Sequence, residues 1–259
     1  MNESNINVQG ITVQYGSFMV YSNLSVTINK SDGLLSIIGP NGSGKSTLLS
    51  CIAGLKKVDK GIITVENKDI NNYKPHELAK VLAFLKQFNS FNINITVKDL
   101  LALGRYPYSK DDLTKEDYEV IDYYMDCINI RHYRDEYISE LSGGQRQRVL
   151  IAMMLIQQTP WMLLDEPLNN LDIYYAKMIM KILRDIVDKE NKTILLVNHD
   201  LNFAANYSDN IMIINHMRRI SYKDKTENIM KKDILEEIYE TDIDILTSNK
   251  SSLLCDYYT

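Results

Sequence analysis

A chain of 259 residues with 45% hydrophobic and 24% charged side chains has the make-up of a globular protein, not a disordered one. Its formal net charge of −5 leaves no electrostatic footprint for nucleic acid. The longest uninterrupted apolar run, residues 149–156, falls far short of the roughly 20 residues that span a bilayer, and no signal peptide opens the chain. These features predict a cytoplasmic protein that meets a membrane only through a partner. Cys51, Cys127 and Cys255 form no C-x-x-C pair and fit reduced thiols. His76, His132, His199 and His216 stand too far apart for a metal-binding spacing.

Residues 11–15 and 24–28 place apolar side chains at every second position, the mark of half-buried strands. Residues 34–38 form a compact, mostly apolar run that enters a tight Gly/Pro loop, so they read as a buried strand, with a helix over 46–55. From 87 to 138 the pattern is mostly helical, notably at 97–103 and 115–130. Short apolar runs return at 161–164 and 193–197, each behind a helical pattern, followed by a strand at 211–214 and a helix at 233–239. Strands alternating with helices predict an α/β fold with a parallel sheet covered on both faces. We expect one domain over 1–259. Its core and an antiparallel β subdomain occupy about 1–86 and 160–222, an inserted helical subdomain about 87–159, and a helical C-terminal tail about 223–259.

Three motifs carry chemistry. Gly39-Pro40-Asn41-Gly42-Ser43-Gly44-Lys45-Ser46 fits G-x-x-x-x-G-K-[ST], the phosphate-binding P-loop. Its glycines let successive N–H groups converge on phosphate oxygens at a helix N-terminus, where Thr47 follows. Lys45 is placed to reach the β- and γ-phosphates of ATP and the Ser46 hydroxyl to ligate Mg²⁺. A chance match in a chain this long is on the order of one in a hundred. Second, residues 161–164 deliver Asp165 and Glu166 at a strand's carboxyl end, where open α/β sheets bind ligands. Behind a P-loop, Asp165 becomes a Mg²⁺ holder and Glu166 a general base for the attacking water. Third, Ser142-Gly143-Gly144-Gln145 leads into another helix and offers a second phosphate-facing N-terminus, which suggests a site shared between copies.

In these residues, with Leu141 preceding, the sequence resembles the ABC ATPase family, whose signature is Leu-Ser-Gly-Gly-Gln. The resemblance runs from about residue 8 to 245 and implies a P-loop ABC ATPase core. It implies that Ser142 and its neighbours bind the γ-phosphate held by a second copy. By the same likeness, Tyr15 stacks on adenine, Gln87 is the Q-loop residue touching Mg²⁺ or the water, Asp172 belongs to the D-loop, and His199 is the switch histidine at the γ-phosphate. Leu103-Gly104-Arg105-Tyr106-Pro107-Tyr108 resembles an element of ATPases serving iron-chelate, haem and cobalamin importers. Residues 166–172 and 199–204 look most like the ferric-siderophore branch, so the likeness points to ferric-siderophore import. The implied partners are a second copy, integral membrane permease subunits at the cytoplasmic face, and indirectly an extracellular or periplasmic substrate-binding protein. Alternatives are the ATPase of another ABC transporter (haem, cobalamin, metal or an exporter) or a non-transport ABC ATPase. The latter would carry coiled-coil arms or a second cassette, and neither is present here. One departure stands out: the hairpin after residue 214 has no Gly, so a turn position with positive φ there is strained by Arg.

Overall fold

The computed structural model describes residues 5–86, 94–109, 112–247 and 252–256, so Gln87 lies outside the described residues. The chain opens with β1 (Asn5–Tyr15) and β2 (Phe18–Asn29), and β3 (Leu34–Ile38) then runs through the P-loop into α1 (Lys45–Ile52). β4 (Lys60–Val65), the short β5 (Lys68–Asp69) and α2 (Pro75–Val81) lead to β6 (Leu82–Leu85). Helices α3 (Val97–Leu103), α4 (Tyr106–Ser109), α5 (Lys115–Cys127) and α6 (Gly143–Ile156) precede β7 (Trp161–Asp165). α7 (Ile173–Glu190), β8 (Thr193–Val197), α8 (Leu201–Tyr207), β9 (Asn210–Ile214) and β10 (Ile220–Lys225) follow. The chain finishes with α9 (Thr226–Ile229), α10 (Lys232–Tyr239), β11 (Asp244–Thr247) and β12 (Leu253–Asp256).

The central sheet has the order β10-β9-β3-β8-β7-β6, parallel except at β10. Every residue of β3, β7 and β8 is buried, which explains why these strands read as mostly apolar runs. Their side chains alternate between two cores. Ile37, Leu163 and Leu195 pack with α1 and with Ile6, Val8 and Ile11 of the antiparallel sheet β2-β1-β4-β5. Leu34, Met162, Leu164 and Leu196 pack with Val149 and Leu155 of α6 and Leu183 of α7. β3, β7 and β8 end on the same edge, so the P-loop, Asp165-Glu166 and Asn198-His199 emerge side by side.

Three expectations need correction. The helix read at 115–130 stops at Cys127, because Asn129 turns left-handed (φ 55°) and the Ile130 N–H bonds back to the Met125 carbonyl, a helix-closing motif. The helix read at 46–55 likewise spans Lys45–Ile52, with Gly54 at φ 71° just beyond. The tail is helical only in part, since β11 and β12 form an antiparallel hairpin. Its signal was the period-two spacing of Ile243, Ile245, Leu253 and Cys255, which turn toward β9 and α8.

In the hairpin between β9 and β10, Arg218 does occupy a left-handed position, with φ 58°. The turn closes through Arg218 N–H to the Asn215 carbonyl and Asn215 N–H to the Arg219 carbonyl. A β-carbon in this conformation costs about 1 kcal/mol that Gly would not incur.

Candidate active site

The P-loop is fixed by glycines that nothing else could replace. A β-carbon on Gly39 (φ 137°) would sit 2.1 Å from the Ile214 carbonyl oxygen, and one on Gly44 (φ 103°) 2.6 Å from the Tyr21 hydroxyl. Side chains from distant elements brace the same loop. The Tyr21 hydroxyl donates to the Gly44 carbonyl at 2.7 Å, and the Tyr239 hydroxyl accepts from the Gly39 N–H at 3.1 Å. Lys45 turns its ammonium back to donate to the Gly39 and Pro40 carbonyls at 2.8 and 2.9 Å. Burial pushes the Lys45 ammonium down from its ordinary value, and the Glu166 and Asp165 carboxylates pull it back up. The Ser43 hydroxyl is buried with no hydrogen-bond partner, an orphan that a phosphate oxygen would satisfy.

Opposite the loop, the Ser46 hydroxyl donates to Asp165 Oδ1 at 2.7 Å. Burial pushes the Asp165 carboxyl up, and the Ser46 hydrogen bond only partly offsets this. A hard hydroxyl and carboxylate pair beside a phosphate cradle fits Mg²⁺, which takes few protein ligands and shares phosphate oxygens. Glu166 has left-handed backbone (φ 53°), the kind of strain that persists where function requires it. Its carboxylate is held on both oxygens. His199 Nε2 lies 2.5 Å from Oε1, and the Asn169 side-chain amide donates to Oε2 at 2.6 Å.

A cleft of about 290 Å³ joins these groups, lined by Tyr15, Phe18, Val20, Asn41, Gly42, Gly44, Lys45, Ser46, Thr47, Glu166 and His199. The residues singled out from the sequence are thus partly gathered and partly not. Ser142, Gly143, Gly144 and Gln145 stand outside that cleft. Ser142 caps α6 by accepting from the Gln145 N–H, while the Gln145 side chain accepts from the Ser142 N–H at 2.7 Å. Ser142 and Gly143 are exposed. Gly144 lies against Asn170, whose carbonyl oxygen would be 2.8 Å from an added β-carbon. Asp172 caps α7 by accepting from the Tyr175 N–H at 3.0 Å and does not line the cleft. Sequence reasoning missed Phe18, Tyr21 and Tyr239 at the site, and it marked Asn169 only within the D-loop and Arg218 only as a strained turn residue. Phe18 could have been found from its place opposite Tyr15 in a two-residue hairpin. Tyr239, which lies 200 residues from Gly39, left no such signal.

This geometry has known counterparts. The sequence pattern of the family described as "ABC transporter" matches residues 21–169. The chain belongs to the ABC transporter family. It is 43% identical over 242 residues to the petrobactin import ATP-binding protein YclP of Bacillus subtilis (strain 168), a match covering 93% of this chain and 95% of that one. It is 45% identical to the petrobactin import ATP-binding protein FatE of Bacillus anthracis, covering 86% of this chain and 88% of that one. The dimeric structure of the bacterial ABC transporter cassette MJ0796 superposes with a TM-score of 0.76 at 25% identity, covering 85% of this chain and 98% of that one. Membership makes the chain a transport-coupled ATPase that takes ATP. Cassettes of this kind form dimers, and those of import systems work with membrane permeases. Among the described residues no helix is long and apolar enough to cross a membrane.

Proposed function

We propose that this chain powers uptake of a ferric siderophore as one of two copies closed around two Mg·ATP at the cytoplasmic face of a permease. A substrate-binding protein on the far side of the membrane feeds that permease. Each nucleotide site joins the P-loop, Glu166 and His199 of one copy to the Ser142 loop of the other. The observation that carries this reading is the exposure of the signature loop outside its own chain's cleft. Such a helix N-terminus supplies phosphate-binding N–H groups only to a neighbour. The siderophore assignment is supported by the petrobactin import relatives.

Ser46 and Asp165, with the Q-loop Gln87, would hold Mg²⁺, which would supply neutralisation of phosphate charge. Lys45 binds the phosphates, Tyr15 orients the base, and Glu166 takes the proton of the attacking water. His199 and Asn169 keep that carboxylate aimed. Asp172, at the D-loop, faces the second copy. ATP binding favours the closed pair over the open one, and hydrolysis resets it.

Mixing variants tests the shared site. Ser142→Arg chains and Lys45→Ala chains each fail alone. Together they form a pair in which both lesions fall in one site and the other stays intact. ATP-dependent association of the mixture by size-exclusion chromatography is the expected result. Normal dimerisation by Ser142→Arg alone would overturn the shared site. Deleting the gene should abolish growth on a ferric siderophore as sole iron source while sparing growth on inorganic iron. Unimpaired growth on every ferric siderophore tried would overturn the substrate class.

A further inference from the structure

Two aromatic rings, not one, stand at the mouth of the cleft. Tyr15 and Phe18 face each other in the β1–β2 hairpin register and both line the cleft beside Gly42 and Gly44. Each is about half exposed, 51% and 53%. Each also carries a cation over one face: Lys56 Nζ lies 4.4 Å from the Tyr15 ring centre, and the Arg218 guanidinium 4.4 Å from that of Phe18. Both cations are tied to backbone. Lys56 donates to the Gln14 carbonyl at 2.8 Å, and Arg218 donates to the Met19 carbonyl at 3.2 Å and the Gly42 carbonyl at 3.4 Å.

A ring with one face taken has one face left. Arg218 holds the plane of Phe18 and joins it to the P-loop through Gly42, so less freedom is lost when a flat group stacks there. The left-handed backbone of Arg218 has the same sense. Gly would fit that turn without strain but could not reach Phe18. Strain kept at such a position points to a job for the side chain. We propose that Phe18 is a second base-contacting ring beside Tyr15, and that Arg218 is a positioning residue that sets it for the purine. This rests on the reading that the P-loop cleft holds the triphosphate.

Calorimetric titration of Mg·ATP and of inorganic tripolyphosphate into four proteins separates the possibilities. Arg218→Gly keeps the turn at ease, and Phe18→Leu keeps apolar bulk without the ring. Each should weaken ATP about three- to tenfold, the scale of a lost cation–π contact or a lost stacking face. Both should leave tripolyphosphate within about twofold. Lys45→Ala should weaken both ligands. If Arg218→Gly weakens both ligands equally, Arg218 acts only on the P-loop through Gly42 and the proposal fails. Unchanged ATP affinity in both Arg218→Gly and Phe18→Leu, with Lys45→Ala still defective, also overturns it. If Lys45→Ala alters neither ligand, the P-loop reading itself falls and takes the inference with it.

Discussion

Asp117 in the helical region and Asp165 in the nucleotide cleft are each only 2% exposed, yet their carboxyls move in opposite directions. Burial pushes both up. At Asp117, hydrogen bonds from Ser109, Thr114 and Arg105 outweigh burial and hold the carboxyl well below the usual range. Arg105 alone contributes a 2.6 Å bond and further donates to the Ile156 carbonyl and the Gln158 side chain. At Asp165 the Ser46 hydroxyl, with Lys45 and His199 nearby, does not outweigh burial, and Glu166 adds repulsion. One aspartate is satisfied by its own chain and holds α4, α5 and the end of α6 together. The other keeps a net upward shift among charged neighbours that line the cleft, and a carboxyl perturbed in that way marks a functional site.

The largest effect expected on the cleft side comes from Glu166→Gln. The amide cannot accept the water's proton, so steady-state hydrolysis should fall by about a thousandfold while ATP binding persists. A phosphate-release assay beside calorimetry checks this, and normal turnover would remove Glu166 from its role. On the helical side, Asp117→Asn or Arg105→Ala leaves a buried partner uncompensated and should cost about 3–5 kcal/mol in urea unfolding. The pH dependence has a definite sign. A depressed carboxyl adds stability above its unfolded value near 4 and loses it as pH falls toward the folded value. Wild type should therefore lose stability below about pH 4 in a way that Asp117→Asn does not.

The same substitution at the other aspartate sharpens the contrast. Asp165 is raised in the fold, so its ionised form costs stability above that raised value. Asp165→Asn should stabilise the nucleotide-free protein by on the order of 1 kcal/mol at neutral pH and abolish Mg²⁺-dependent hydrolysis. A destabilised Asp165→Asn would break the comparison. The smallest effect should be that of Asn169→Ala. It removes one hydrogen bond that aims Glu166 and should lower kcat about three- to tenfold with unchanged ATP affinity, a split that single-turnover kinetics would expose.

Much of this contrast was legible in the chain, for stated reasons. The buried strands announced themselves as apolar runs, and the P-loop and signature are local motifs whose residues act within a few positions of each other. Arg105 was legible as a motif but not as an ion pair, because nothing in Thr114-Lys115-Glu116-Asp117 distinguishes a buried carboxylate from an exposed helix cap. The tail's β hairpin was missed because an alternation of only two residues on each side is too short to read as a strand pair. Arg218 was visible as an anomaly, and only the fold connects it to Phe18.

The Tyr239 brace on the P-loop carries a consequence for how the molecule is made. Gly39 leaves the ribosome well ahead of the tyrosine that fixes it, which follows 200 residues later. At about 5–20 residues per second, that gap lasts about 10–40 s. Central strand β3 waits too, since both its neighbours, β8 and β9, are translated late. Pairings this distant in sequence form slowly, because the long intervening loop must close before they stabilise anything. A nascent chain therefore displays its phosphate-binding sequence early but completes the braced loop only once β8, β9 and Tyr239 have emerged.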